Sequence, residues 1–318
     1  MALSTRRLKA RLKSVTNTRK ITKAMELVAG AKMRRAVQMT LDSRHYSNSV
    51  KRIVDDIRPM IDQRSHQLLY GRFEARKTLL IIAASDRGMC GGFNTQLARK
   101  VQDFVKARGE KVVTVTIGKK IESGIRRLGL DILASFSAVS NAPSYERVVG
   151  VGQMAYEEFL SGRVDRVFLC YSDFKSTVSQ VPTIVQLLPI VPEEDLKDIP
   201  EEDWHRHADE LSDMSENQRL EWDRAHAERY PQDYTVTFEP TPRYVLDHLL
   251  PRLTDTRLYQ ATLESAASEQ SARMMAMRNA TDAATEMIDS LSLTYNQARQ
   301  AGITREISEI SAGKASLE

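Results

Sequence analysis

The chain has 318 residues, 42% of them hydrophobic, and a formal net charge of +4. That apolar content is enough for one large core or two medium ones and excludes disorder as the default state. The longest unbroken apolar run, Leu79 to Ala84, is far short of the roughly 20 residues that a bilayer-spanning helix needs, and no secretory signal follows Met1, so a soluble intracellular protein is expected.

The charge is unevenly distributed. Residues 1–52 carry fourteen Lys or Arg against two acids, and residues 193–234 carry fifteen Asp or Glu against five Lys or Arg. This asymmetry suggests a basic face for an acidic partner and a separate acidic element. Only Cys90 and Cys170 occur; they fit neither a metal-ligand spacing nor a disulfide framework and read as free thiols.

From Ser4 to about Ile57 there is no Pro and a single Gly, Gly30. Leu8, Leu12, Val15, Ile21, Met25 and Val28 follow helical spacing, which predicts one long helix ended by Pro59. An Arg-rich organellar presequence is the alternative for the first fifteen residues. The periodicity continues past any cleavage point and argues against it.

The middle of the chain changes character. The runs "TLLIIAA", "KVVTVTIG", "DILASFS" and "VDRVFLCYSDF" read as strands, with helices predicted at 95–108, 119–128 and 144–160. Strands separated by helices imply right-handed crossovers and a Rossmann-like, mainly parallel α/β domain over 76–192. The proline-bearing run "TVSQVPTIVQLLPIVP" is expected at a sheet edge. Residues 193–233 are acid-rich and form a separate insertion, anchored by Trp204, Leu220 and Trp222.

After Pro251 the chain runs to Ala312 with one Gly and no Pro. Met277, Ala280, Ala284, Met287, Leu291, Thr294, Ala298 and Ala301 step by three and four, the seam of a coiled coil. Such a helix is about 90 Å long, wider than a single globular core. The two terminal helices, 1–60 and 244–314, should therefore pair antiparallel and project from the α/β base.

Each motif carries a competing reading. The loop "SDRGMCGGFN" joins a strand to a helix, where phosphates often bind, but Gly88, Gly91 and Gly92 match neither GxGxxG nor a P-loop. A turn that presents its backbone to another protein fits better. Cys90 beside Arg87 suggests a nucleophile, yet all six histidines lie outside residues 75–200. His205, His207 and His226 suggest a metal cluster, although a charged insertion makes their proximity incidental. The basic runs "RRLKARLK" and "KMRR" suggest nucleic acid or, since no aromatics interleave, an acidic protein partner. No catalytic residue, cofactor or metal is expected.

Three segments then carry a resemblance. "SVTNTRKITKAMELVAGAKMRRA", "SDRGMCGGFN" and "LESAASEQSARMMAMRNATDAATEMIDSLSLTYNQARQAGITREISEI" resemble the γ subunit of F-type ATP synthase, in that order. Nearly everything outside 193–233 is covered. The resemblance implies a single-copy rotor shaft whose coiled coil turns inside a hexamer of alternating α and β subunits. It also implies an α/β foot resting with an ε subunit on a membrane c ring, and no catalysis by the shaft itself.

By the same resemblance, hexamer contacts fall on Lys20, Lys23, Met25, Arg34 and Arg35, and on Arg87, Gly88 and Cys90 of the loop. Further contacts fall on Glu269, Gln270, Arg273, Arg299, Gln300 and Thr304, while Phe238 and Glu239 face the c ring. The ending "ISAGKASLE" is more polar than is usual in the family at Ser311 and Lys314. Chloroplast-type relatives carry an insertion near 193–233 with two cysteines that form a regulatory disulfide; none occurs here, so an electrostatic latch or an extra subunit contact is the expectation. A bacterial location on the cytoplasmic face of the inner membrane is expected. A Rossmann-type nucleotide-binding enzyme and a nucleic-acid-binding coiled coil stand as the alternatives.

Overall fold

The computed structural model describes residues 5–57, 68–69, 76–139, 143–190, 239 and 241–315; the acidic insertion and Phe238 lie outside them. The first helix, α1, spans Thr5–Ile57, and the last, α5, spans Pro242–Ala315. At 1.5 Å per residue they are about 80 and 110 Å long. They lie antiparallel, as the Thr22 to Thr281 hydroxyl contact at 2.9 Å and the Ser43 to Gln260 hydrogen bond show.

The seam between them is a heptad repeat on both sides. On α1 the enclosed positions are Leu8, Leu12, Val15, Arg19, Thr22, Glu26, Ala29, Met33, Ala36, Thr40 and Ser43, alternating steps of four and three. On α5 they are Gln260, Leu263, Ala267, Gln270, Met274, Met277, Thr281, Ala284, Ile288, Leu291, Tyr295 and Ala298. A strict seven-residue period keeps one stripe of each helix facing the other along the whole shaft. Gly30 packs against Met274, whose sulfur lies 3.2 Å from where a Cβ would stand.

Two parts of the expected seam are corrected. Ile21 and Val28 are 60% and 57% exposed, and Thr22 and Ala29 hold the seam instead. On α5, Met287 and Thr294 are exposed and Ile288 and Tyr295 take their places, while Ala301 is exposed. Counting from Met277 by three and then four fixes every second position correctly; the real order is four and then three. Among the described residues Ala301 meets no seam position, because the register set by Thr22–Thr281 and Ser43–Gln260 brings the first described turn of α1 opposite Ala298.

Between the two helices lie β1 (Lys77–Ala83), α2 (Phe93–Arg108), β2 (Lys111–Ile117), a 3-10 turn and α3 (Glu122–Arg127), β3 (Asp131–Phe136), α4 (Tyr145–Leu160), β4 (Arg166–Phe174) and β5 (Gln180–Leu188). The strand order is β3-β2-β1-β4-β5, parallel except for β5. Central β1 is buried along nearly its whole length, whereas β3 alternates between exposed and half-buried residues, as an edge does. Pro182, which has no N–H for a ladder, sits in edge strand β5 as expected.

Alternate residues of each strand feed two cores. Leu80, Ile82 and Phe168 pack with Phe93, Leu97 and Val101 of α2. Leu79, Ile81 and Leu169 pack with Val148 and Phe159 of α4 and with Leu250, Leu253 and Leu258 of α5. The first third of α5 is thus a helix of the foot, and the same unbroken helix continues as the shaft.

Candidate functional site

The place where the shaft leaves the foot is the longest buried stretch among the described residues: residues 261–270 of α5 are buried on every side. One side faces α1. The other crosses the carboxyl edge of the sheet.

That edge has chemical significance. In an open α/β sheet of this strand order the chain leaves β1 toward β2 and leaves β4 toward β5, in opposite directions, and the crevice between those strand ends is where α/β proteins hold a ligand. Here α5 fills it. The Ser265 hydroxyl donates to the Ala83 carbonyl at the end of β1 (2.7 Å), and the Ser268 hydroxyl donates to the Ser172 carbonyl of β4 (3.0 Å). One turn on, Ser271 donates to the Thr177 carbonyl in the β4–β5 turn (2.7 Å).

The glycine-rich loop is closed off by the same helix. Gly91, at φ +57°, turns the chain so that a Cβ there would stand 3.8 Å from Ala276 Cβ and 3.9 Å from the Ala272 carbonyl oxygen. Arg273 Nη2 donates to the carbonyls of Arg87 and Gly88, both at 3.3 Å, and Nη1 pairs with Glu269 at 2.7 Å. Inside the loop, Asn94 Nδ2 donates to Ser85 Oγ (2.7 Å) and to Cys90 Sγ (3.3 Å). The loop is therefore a braced turn against the shaft, with Arg87 and Met89 directed to solvent.

The expected contact residues divide into two groups. Lys20, Lys23, Arg34, Arg35, Arg299, Gln300 and Thr304 are exposed along the shaft, and Met25 is half-buried; Lys23 also pairs with Glu26 at 3.0 Å. Gly88 and Arg273 are half-buried, but Glu269 and Gln270 are only 3% and 5% exposed, enclosed between α1 and the sheet. Cys90 is buried, and Glu239 is exposed. The buried members serve the joint itself.

Neither thiol is poised for chemistry. Full burial pushes the Cys170 thiol up to about 12, and Cys90 is packed among Ser85, Asn94 and the Arg87 carbonyl. Among the described residues no group of three His, Cys, Asp or Glu side chains could hold a metal. His205, His207 and His226 lie outside those residues.

Sequence reasoning missed a second cluster where α4 meets α5. Asp255 is buried against Gly152, and its Oδ1 lies 3.3 Å from Tyr156 Oη, while the Tyr156 hydroxyl donates to the Pro251 carbonyl. Desolvation raises the Asp255 carboxyl to about 6, against a smaller lowering by the Tyr156 hydrogen bond. Desolvation, followed by the charge of Asp255, also raises Tyr156 far above its ordinary value. The cluster joins helices distant in sequence and leaves no local signature. The serine triad left only its spacing, since hydroxyls in a helix also bond carbonyls of their own helix, as those of Thr254 and Thr262 do.

The fold and the joint together define a stalk-shaped class of protein, a paired-helix shaft mounted on an α/β base whose ligand crevice the shaft itself fills. The ATP synthase family model matches residues 4–317. Over 317 residues the chain is 35% identical to the ATP synthase gamma chain of Stenotrophomonas maltophilia strain K279a, covering 99% of each chain. It is also 35% identical over 315 residues to that of Xanthomonas campestris pv. campestris strain B100, covering 98% of this chain and 99% of the relative.

Among solved structures, the fold is similar to a chain of the Euglena gracilis mitochondrial ATP synthase OSCP/F1/c-ring structure in rotational state 3. The TM-score is 0.64 at 19% identity, over 99% of this chain and 94% of that one. A chain of the Tetrahymena thermophila mitochondrial ATP synthase central stalk/c-ring structure gives a TM-score of 0.55 at 23% identity, over 82% of this chain and 99% of that one. The chain belongs to the ATP synthase gamma-chain family: it is a central-stalk subunit of an F-type ATP synthase, a non-catalytic part of a membrane-bound complex. No helix among the described residues is long and apolar enough to cross a membrane. Neither the nucleotide-binding enzyme nor the nucleic-acid reading gains support.

Proposed function

We propose that one copy of this chain forms the axle inside a hexamer of α and β subunits and couples rotation of a c ring to ATP synthesis or hydrolysis there. In this reading helices 1–60 and 244–314 are the shaft, 76–192 is the foot, and 193–233 is an added acidic element. The observation that carries it is the lone end of α5. Residues 301–312 are exposed, and Ile303, Ile307 and Ile310 present an apolar stripe with no partner among the described residues. An exposed apolar stripe of this kind marks a surface that another protein covers.

Below the tip, Lys20, Lys23, Arg34 and Arg35 supply positive charge for acidic loops of the β subunits, with Met25 among them. Arg299, Gln300 and Thr304 offer polar contacts higher on the shaft. Arg87 and Gly88 present a loop surface facing the same β region, with Cys90 packed inside the loop, and Glu269, Gln270 and Arg273 brace the shaft behind it. Phe238 and Glu239 face the c ring, which the foot shares with an ε subunit on the cytoplasmic face of a bacterial inner membrane. Each charge crossing that membrane contributes about 2.3 kcal/mol per 100 mV. Several charges must be collected per ATP, and the shaft has to carry that load without melting.

Co-expression with α and β subunits tests the reading. An ATP-hydrolysing complex that contains this chain supports it; recovery of the α/β hexamer without the chain overturns it. The insertion acts in this reading as a latch on wasteful hydrolysis. Deleting residues 195–230 should raise hydrolysis relative to synthesis, and unchanged rates in both directions would remove that role.

A further inference from the structure

We propose that Ser265, Ser268 and Ser271 form a key that fixes the angle of the shaft helix about its own axis relative to the foot. They are positioning residues for torque transfer. The inference rests on the rotor reading and adds where the rotor's angular stiffness resides.

The three hydroxyls leave α5 at successive steps of three residues, so each points about 60° further around the helix while climbing about 4.5 Å along it. Their acceptors are the carbonyls of Ala83, Ser172 and Thr177, which belong to β1, β4 and the β4–β5 turn. Three separate parts of the foot thus hold three different directions on one helix. Turning α5 about its axis in either sense must stretch or bend these bonds.

The surrounding packing does not give the same resistance. Leu250, Leu253, Leu258 and Ala261 fasten α5 to the sheet face through apolar contact, which is non-directional and allows small sliding. Hydrogen bonds weaken steeply once bent. All three serines are buried, and so are Ala83 and Ser172, so a bond broken at either of the two inner positions leaves a dry carbonyl, while Thr177 at the outer position is exposed. From the opposite side, Ala267 and Gln270 occupy the seam with α1, and the first shaft helix clamps the second onto its acceptors. Gln180 Nε2 reinforces the outermost bond by approaching Ser271 Oγ at 3.4 Å while donating to the Thr177 carbonyl at 3.0 Å.

The test uses the assembled complex, with the shaft held by a nucleotide-locked hexamer and a bead attached through a cysteine at exposed Lys106 of α2. The angular variance of the bead reports torsional stiffness. The triple variant S265A/S268A/S271A should fluctuate with about twofold greater variance, because directional restraints are lost while apolar packing stays. ATP hydrolysis by the same complexes should stay close to that of the unaltered complex. Should the triple variant fail to assemble, S271A alone, at the edge of the joint, should still raise the variance, and S271T, which keeps the hydroxyl, should restore it. A variance unchanged in S271A, or raised equally in S271T and in the exposed-site control S290A, overturns the key. Hydrolysis and rotation by these complexes report on the rotor reading separately, so either idea can fail alone.

Discussion

Replacing Asp255 with asparagine should stabilise the shaft–foot joint at neutral pH and leave it unchanged in acid. The Asp255 carboxyl is raised from 3.8 to about 6 by desolvation, so burial disfavours its charged form. The sign follows from which state binds more protons. Well below pH 3.8 the carboxyl is protonated folded and unfolded alike, and nothing is lost. Between about pH 4 and 6 the unfolded chain ionises first, so stability falls as pH rises, and above pH 6 the full penalty persists.

A shift of about 2 units corresponds to about 3 kcal/mol as an upper limit. Screening at a site that is not fully removed from solvent reduces this to roughly 1–2 kcal/mol. The amide introduced by D255N keeps the shape of the carboxyl and can donate to Tyr156 Oη while Tyr156 donates to the Pro251 carbonyl. The groups facing Asp255 are Tyr145 and Tyr156 of α4, with Arg252 on its own helix and Tyr46 of α1 nearby. Hydrogen exchange of the α5 amides around 252–259 should therefore slow by about 5- to 30-fold in D255N at pH 8 and not change at about pH 2.5, after correction for intrinsic rates. Equal slowing at both values, or faster exchange at pH 8, would refute the argument.

Three further outcomes follow from the same geometry. A Cβ on Gly152 would stand 2.1 Å from Asp255 Oδ1, so G152A should cost about 1–3 kcal/mol by overpacking, and adding D255A should recover most of it in a double-mutant cycle of urea midpoints. Thr22 and Thr281 share a 2.9 Å hydroxyl contact in the seam. Because Thr22 also bonds the Arg19 carbonyl and Thr281 that of Met277, the single valine variants should cost less than about 1 kcal/mol, with a coupling of about 0.5 kcal/mol in chemical denaturation. Replacing Ile303, Ile307 and Ile310 with serine should leave the chain's own unfolding within about 0.5 kcal/mol, since these residues are exposed. The same change should weaken its retention in the complex during size-exclusion chromatography.

Much of this architecture was legible in the residues. The absence of Pro and the near absence of Gly over 4–57 gave α1, and the β-branched runs gave all five strands. Pro182 marked an edge because a missing N–H is a local fact. The seam was legible only in its period. Steps of three-then-four and four-then-three share every second position, and only packing against α1 distinguishes Ile288 from Met287 or Tyr295 from Thr294. Ile21 and Val28 misled for the same reason: an apolar side chain at helical spacing does not say which of two faces will be covered.

The joint was the least legible part. The glycine spacing argued against a phosphate site, but not that α5 itself fills the crevice. That filling depends on Ser265 meeting Ala83 and Arg273 meeting Arg87, pairs far apart in sequence. Glu269 and Gln270 were placed as contacts by the resemblance alone, and their burial, at 3% and 5% exposed, is set by contacts distant in sequence that no local pattern reports.

The central claim is that the whole chain turns as one axle. Single-molecule rotation tests it most directly, with the α/β hexamer fixed to a surface and a bead on Lys106 of the foot. One rigid axle predicts one-way turning driven by ATP, with three pauses per revolution that match three catalytic sites. Steady ATP hydrolysis under a stationary or randomly drifting bead would contradict it.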